Sequence, residues 1–198
     1  VEALPGTYNV RLSVQGGPVQ TRSLEVRKDP RIKEVIQQDF QERYDLAMAI
    51  KDTLNSIYDA IRTIRSVRKQ VDALASNAKE AGHDASEIQN LADTITSKLS
   101  TLESKLMQVK IQSSADRLNF PLQLDNQYFF LYSYVNNAGF LNSVAPPTAG
   151  ARERFTVLNE QWSGLRNRLQ KLLNTEVAKF NKRVNELGEP VFIPKIDR

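Results

Sequence analysis

The side chains able to do chemistry are few, and their spacing limits what they can do. The one histidine, His83, stands in a Gly82-His83-Asp84 run. A catalytic triad needs a histidine held by packing between a nucleophile and a carboxylate, and a zinc site needs three or four converging ligands. His83 beside Asp84 in a turn meets neither condition, so it reads as a solvent-exposed turn residue. Glycoside hydrolysis needs two carboxyl groups roughly 5–10 Å apart in a sugar-binding cleft. Asp45, Asp52 and Asp59 instead recur at heptad spacing, which makes them a solvated stripe on the outer face of a helix. No glycine-rich phosphate loop follows a strand, and neither HExxH nor Gly-x-Ser-x-Gly occurs. The expectation is a chain without catalytic, cofactor-binding or metal-binding residues, and so not itself an enzyme.

Two clusters remain as candidate surfaces. Arg62, Arg65, Arg68 and Lys69 form a basic group that could face an anionic polymer or lipid head groups. Acids on neighbouring helices could equally answer it, and Arg68 falls on an apolar seam from which it would snorkel or pair with such an acid. The aromatic run Tyr128, Phe129, Phe130, Tyr132 and Tyr134 could bind a partner or stack on a carbohydrate. Its other reading is bundle core with one edge exposed.

Cysteine is absent, which excludes disulfides, thiolate metal sites and a cysteine nucleophile. Lys and Arg number 27 against 23 Asp and Glu, for a formal net charge of +4. Acids and bases alternate along most of the chain, as on solvated helices, so nucleic acid is not expected as a partner. No apolar stretch approaches the ~18 residues of a membrane span. With 40% hydrophobic and 25% charged residues, the 198-residue chain suits a soluble globular protein. It starts at Val1 with no initiator Met or signal-peptide pattern, and reads as an excised piece of something longer.

The elements that carry these residues are mainly helical. Phe40, Ala47, Ile50, Leu54, Ile57, Ile61, Ile64, Val71 and Ala78 form a seam with heptad spacing, predicting a long helix over 29–81 that starts at Asp29-Pro30. Gly82 would stop it, and Asp84 with Glu87 would cap a second helix over 85–113. The seam of that helix is Ile88, Leu91, Ile95, Leu99, Leu102, Leu106 and Val109. Pro121 breaks the pattern before a short helix over 125–143. After Ala145-Pro146-Pro147, Thr148 can cap a last helix over 149–187, closed by Gly188 and Pro190. The apolar stripe of the last helix shifts from Leu172 to Leu173, as in a straight helix drifting against a heptad repeat. Val191-Phe192-Ile193-Pro194 reads as an extended tail covering a bundle end. The fold class is thus mainly α: an elongated antiparallel three/four-helix bundle, coiled-coil-like, with a small N-terminal β-hairpin.

That hairpin occupies residues 1–28, ahead of a bundle over 29–198. Tyr8, Val10, Leu12 and Val14 alternate with polar residues, and Gln15-Gly16-Gly17-Pro18 is turn chemistry. Val19 is out of phase with Leu24 and Val26, which predicts a bulge or an irregular start in the return strand. A lone hairpin is marginal in water, so its apolar face should pack on the bundle, on another chain or on another domain.

Pro5-Gly6-Thr7-Tyr8-Asn9-Val10-Arg11-Leu12 resembles the closing hairpin of an immunoglobulin-like or fibronectin-type sandwich in secreted bacterial proteins. Leu24-Glu25-Val26-Arg27-Lys28-Asp29-Pro30-Arg31 resembles the exit from that hairpin into a helical tail. Leu118-Asn119-Phe120-Pro121-Leu122-Gln123-Leu124-Asp125-Asn126-Gln127 resembles a connection between tail helices. Together they are similar to the C-terminal region of bacterial sortilin-like β-propeller proteins with Asp-box repeats, often described as glycosyl hydrolases. The resemblance implies a secreted or periplasmic setting and a parent whose hydrolytic chemistry would lie outside these residues.

Three functions are open. The first is a non-catalytic structural or interaction module at the C-terminus of a larger protein, acting as spacer, docking surface or oligomerisation element. The second is an accessory domain of a glycoside-hydrolase-like propeller. The third is an independent adaptor that binds an acidic partner or membrane surface through its basic face. The expected partners are other domains of the parent, a protein, or further copies of the chain, with no cofactor.

Overall fold

A computed structural model describes residues 1–81, 86–113, 116, 118–136 and 145–188. The protein is mainly helical, a helical bundle with a two-stranded N-terminal hairpin. Its elements are β1 (Gly6–Leu12), β2 (Gln20–Val26), α1 (Gln37–Glu80), α2 (Ser86–Leu106), α3 (Leu124–Asn136), α4 (Ala149–Leu172), a π-helical turn (Leu173–Val177) and α5 (Ala178–Glu186). The last three form one unbroken helical path. The chain divides into two compact units, residues 1–52 with 130–155 and residues 53–129 with 156–198. The division therefore runs through α1, α3 and α4 and does not separate hairpin from bundle.

In the first unit, β1 and β2 pair antiparallel from Gly6–Val26 to Leu12–Gln20 in unbroken register. Of the two expected irregularities there is no bulge, but the return strand starts late: β2 begins at Gln20 and leaves Val19 in the connection. Gly17 N–H closes the turn on Val14 O at 3.0 Å, with Gly16 at φ +77°, a conformation that favours glycine. α1 begins eight residues later than the sequence suggests. The Asp29 carboxylate is spent locally, accepting from the Arg31 N–H at 2.9 Å, and its hydrogen bonds to Arg31 lower its pKa to about 2. The helix is capped instead by Asp39, which reaches back to the Ile36 N–H at 2.9 Å. Among the described residues, Phe40, Leu46, Ala47 and Ile50 of α1, Leu131 and Val135 of α3, and Ala151 of α4 are this unit's buried apolar residues, together with Val35. Arg152 pairs with Glu42 at 2.6 Å, and the Ala151 N–H donates to Thr148 Oγ1, confirming Thr148 as the α4 cap.

In the second unit, Leu54, Ile57, Ile61, Ile64, Val71 and Ala78 are all buried, as their spacing predicts. Val67 and Ala75 join them and widen the seam. Asp72 meets Thr96 while Arg65 and Arg68 meet Glu103. Numbers that rise along α1 fall along α2, so the two helices run antiparallel. The same relation holds between α2 and the last helix, where Glu87 pairs with Arg183 and Lys98 with Glu176. α2 stops at Leu106, short of the expected 113, and Val109 is exposed. There the Gln108 side chain competes for the backbone, accepting from the Lys110 N–H at 3.2 Å and donating to Pro121 O at 3.1 Å. Gly82, His83, Asp84, Pro190 and the tail Val191–Pro194 lie outside the described residues.

The shift in the last apolar stripe is not gradual drift. Leu158, Trp162, Leu169 and Leu172 are buried in α4, and Val177, Phe180 and Val184 continue the core. The step from Leu172 to Val177 is one residue too wide for α geometry, and the π turn absorbs it. Gly188, at φ +79°, ends the path by donating to Asn185 O at 3.0 Å. Deleting Asn174, an exposed residue of that turn, should restore continuous α-helix and rotate α5 by roughly 100°. Phe180 and Val184 would then leave the core, and urea denaturation should record a loss of about 3 kcal/mol or more. Unchanged stability would show that the π turn does not set the phase.

Candidate functional site

The basic cluster on α1 is already answered from within the chain. The Arg62 guanidinium pairs with Asp59 one turn earlier. Arg65 Nε and Arg68 Nη1 converge on the two oxygens of Glu103, at 2.6 and 2.7 Å. Glu103 is only 4% exposed. Arg68 therefore takes the neighbouring-helix carboxylate that its seam position suggested, and Val67 fills the core beside it. Lys69 is exposed and forms no ion pair among the described residues. Three of the four cations in the candidate anion-facing patch of Arg62, Arg65, Arg68 and Lys69 are engaged by acids of this protein, the alternative that the sequence also left open.

The aromatic run divides by helical position. Tyr128 is fully buried and cannot belong to a surface; its hydroxyl donates to Asn159 Oδ1 at 2.8 Å, and burial pushes the phenol well up. Tyr132 is half-buried. In the first unit, Phe130 and Tyr134, four residues apart on one face of α3, are 56% and 50% exposed. In the second unit, Phe129 is likewise half exposed and forms a wall of a cleft.

That cleft, of about 450 Å³, is lined by Tyr58, Met107, Gln108, Ile111, Asp125, Asn126 and Phe129. Asp125 lies in the first turn of α3, where one of its oxygens accepts the Asn126 N–H at 2.7 Å. The residue is 6% exposed, and burial raises its pKa despite that hydrogen bond. Tyr58 is raised too, first by burial and then by the charge of Asp125. The cleft thus gathers two perturbed groups, the pattern associated with binding and catalytic sites. It holds no nucleophile–base pair. Among the described residues no group of three or more His, Cys, Asp or Glu is placed to hold a metal ion. A carboxylate walled by aromatic and thioether groups can accept a proton or a cation. A second cleft of about 420 Å³, between Lys105, Gln127, Glu160 and Arg168, is walled by exposed charges of both signs.

Sequence reading marked Asp125 only as the start of a helix. The available signal was its distance from Phe129, one helical turn, which places carboxylate and ring on the same face of α3. The contributions of Tyr58 and Met107 come from distant parts of the chain and have no local signature.

Glu103 generates a test of asymmetry. Replacing Glu103 by Gln leaves two guanidiniums that can turn to water, and should cost about 1 kcal/mol. Replacing Arg65 and Arg68 together by Met strands a buried carboxylate, and should cost about 3 kcal/mol. Chemical denaturation of both variants distinguishes them; equal losses would show that Glu103 is not the buried member of the network.

Asp125 generates a pH test. Its pKa is higher in the folded chain than its usual 3.8, so folding is favoured by its protonated form. The stability it contributes is full below about 3.8 and is lost as pH rises through the raised value. Tyr58 is the other titratable group of the cleft and does not titrate in this window. Asp125→Asn retains an acceptor oxygen and carries no charge. Its unfolding free energy should gain on that of the wild type as pH rises from 3.8 towards neutral. A difference constant with pH would show that Asp125 ionises without penalty.

No family model matches the chain, and no curated protein or solved structure matches it.

Proposed function

We propose that the protein is a non-catalytic interaction module of a larger protein, and that its docking element is the N-terminal hairpin. The observation that carries this reading is the exposure of the hairpin's apolar face, of which only Val26 is half-buried. Tyr8, Val10, Leu12, Val14 and Leu24 range from 38% exposed at Tyr8 to 60% at Val14. Tyr8 stands opposite Leu24 in the register, so both strands contribute to the same face. The bundle does not cover this face among the described residues, although an isolated hairpin is marginal in water. The two-stranded sheet also leaves an unpaired edge on each side. A face with period-two apolar residues between open edges fits a second β-sheet better than a helix.

The likeness of residues 5–12 and 24–31 to the closing hairpin and helical exit of sortilin-like propeller proteins supports the same occupant. It also supports placing the parent among secreted or periplasmic bacterial proteins. The internal pairing of Arg62, Arg65 and Arg68 weighs against an adaptor that works through its basic face.

A second copy of the chain is the one β-sheet available in a purified sample. Light scattering coupled to size exclusion, at rising concentration, should show association of the wild type. The double variant Val10→Arg/Leu12→Arg should remain monomeric with unchanged helical circular dichroism, because these side chains contact no core. If both proteins stay strictly monomeric, the hairpin is not a docking element and the module is a spacer. If both associate equally, the interface lies elsewhere.

A further inference from the structure

Two charged residues are buried in the described structure, Glu103 and Asp125. A carboxylate removed from water is normally neutralised by a partner cation. Glu103 has two, Arg65 and Arg68. Among the described residues Asp125 forms no ion pair, no cation contributes to its electrostatics, and none that lines its cleft is basic. The unanswered charge faces a cleft of about 450 Å³ that opens to solvent.

We propose that this cleft binds the ammonium group of a small alkyl amine, with Asp125 as the counter-charge and Met107, Ile111 and Phe129 as the seat for the apolar tail. Asp125 keeps acceptor capacity for it. An ionised carboxylate offers about four lone-pair positions, and the Asn126 N–H at 2.7 Å and the residue's own N–H take two. The rings of Tyr58 and Phe129 provide faces to which an ammonium group is attracted. A metal ion is a poor match, because Asp125 is the only anionic ligand in the lining and the other polar groups are neutral amides and a phenol. An anion is excluded by the carboxylate itself. The thioether of Met107 and the branched chain of Ile111 reward a ligand with hydrocarbon attached to its charge. The site is independent of the hairpin and goes beyond the docking role.

The test titrates n-butylammonium chloride into the full chain and follows the ring resonances of Tyr58 and Phe129 by NMR. n-Butanol and n-butyrate run in parallel as neutral and anionic controls of similar shape. Saturable binding of n-butylammonium is expected, about tenfold tighter than n-butanol, with no saturable binding of n-butyrate. Asp125→Asn should reduce n-butylammonium to the n-butanol level while the protein melts no lower at neutral pH, which separates loss of the site from loss of the fold. Phe129→Ala, at a half-exposed position, should weaken the amine several-fold with the helical spectrum retained. Equal affinity for amine and alcohol, undiminished amine binding by Asp125→Asn, or no saturable response to n-butylammonium would each overturn the proposal.

Discussion

The structure depends on one constraint, the unbroken apolar seam of α1. A helix of this length is not stable by intrinsic propensity, and its backbone hydrogen bonds survive only where other helices cover it. The seam keeps its period from Phe40 to Ala78. Neighbouring helices must therefore bring apolar stripes of their own to that line. α2 does so with Ile88, Ile95, Leu99 and Leu106, and the Ser and Thr residues of its outer face are handled internally. Ser100 and Thr101 donate to carbonyls one turn back, so mediocre helix formers are kept from competing for the backbone elsewhere. The polar core of the second unit obeys the same rule, since Glu103 is tolerated only because α1 presents two guanidiniums at the same level.

Regular periodicity was legible in the sequence. The seam residues, the Thr148 cap, the Gly188 stop and the pairing of Arg68 with an acid of a neighbouring helix follow from spacing and local chemistry. What was not legible depended on competition between equivalent groups. Asp29 and Asp39 are both plausible caps, and the choice is made by Arg31, which engages the first at close range. Gln108 ends α2 by capturing a carbonyl thirteen residues away. The wide turn after Leu172 produces the same shift of hydrophobic residues as gradual drift, and sequence cannot tell the two apart.

The candidate cleft was less legible than the fold, for a physical reason. A site made by one acid, two rings and a thioether from three separate parts of the chain has no motif, because nothing fixes the spacing of its members. The conspicuous clusters were ambiguous for the converse reason. Arginines gathered on a helix face invite an external anion, yet local crowding of like charge is also what a buried acid on the next helix requires. Aromatic residues in a run must diverge around a helix, so their adjacency in sequence ensures that no single surface contains them all. Tyr128 enters the core for that reason while Phe129 does not.

The π turn at Leu173–Val177 is where the last helix changes phase. A stripe buried through Leu172 resumes at Val177, so both halves of the path keep facing the core although no plain α-helix could carry both.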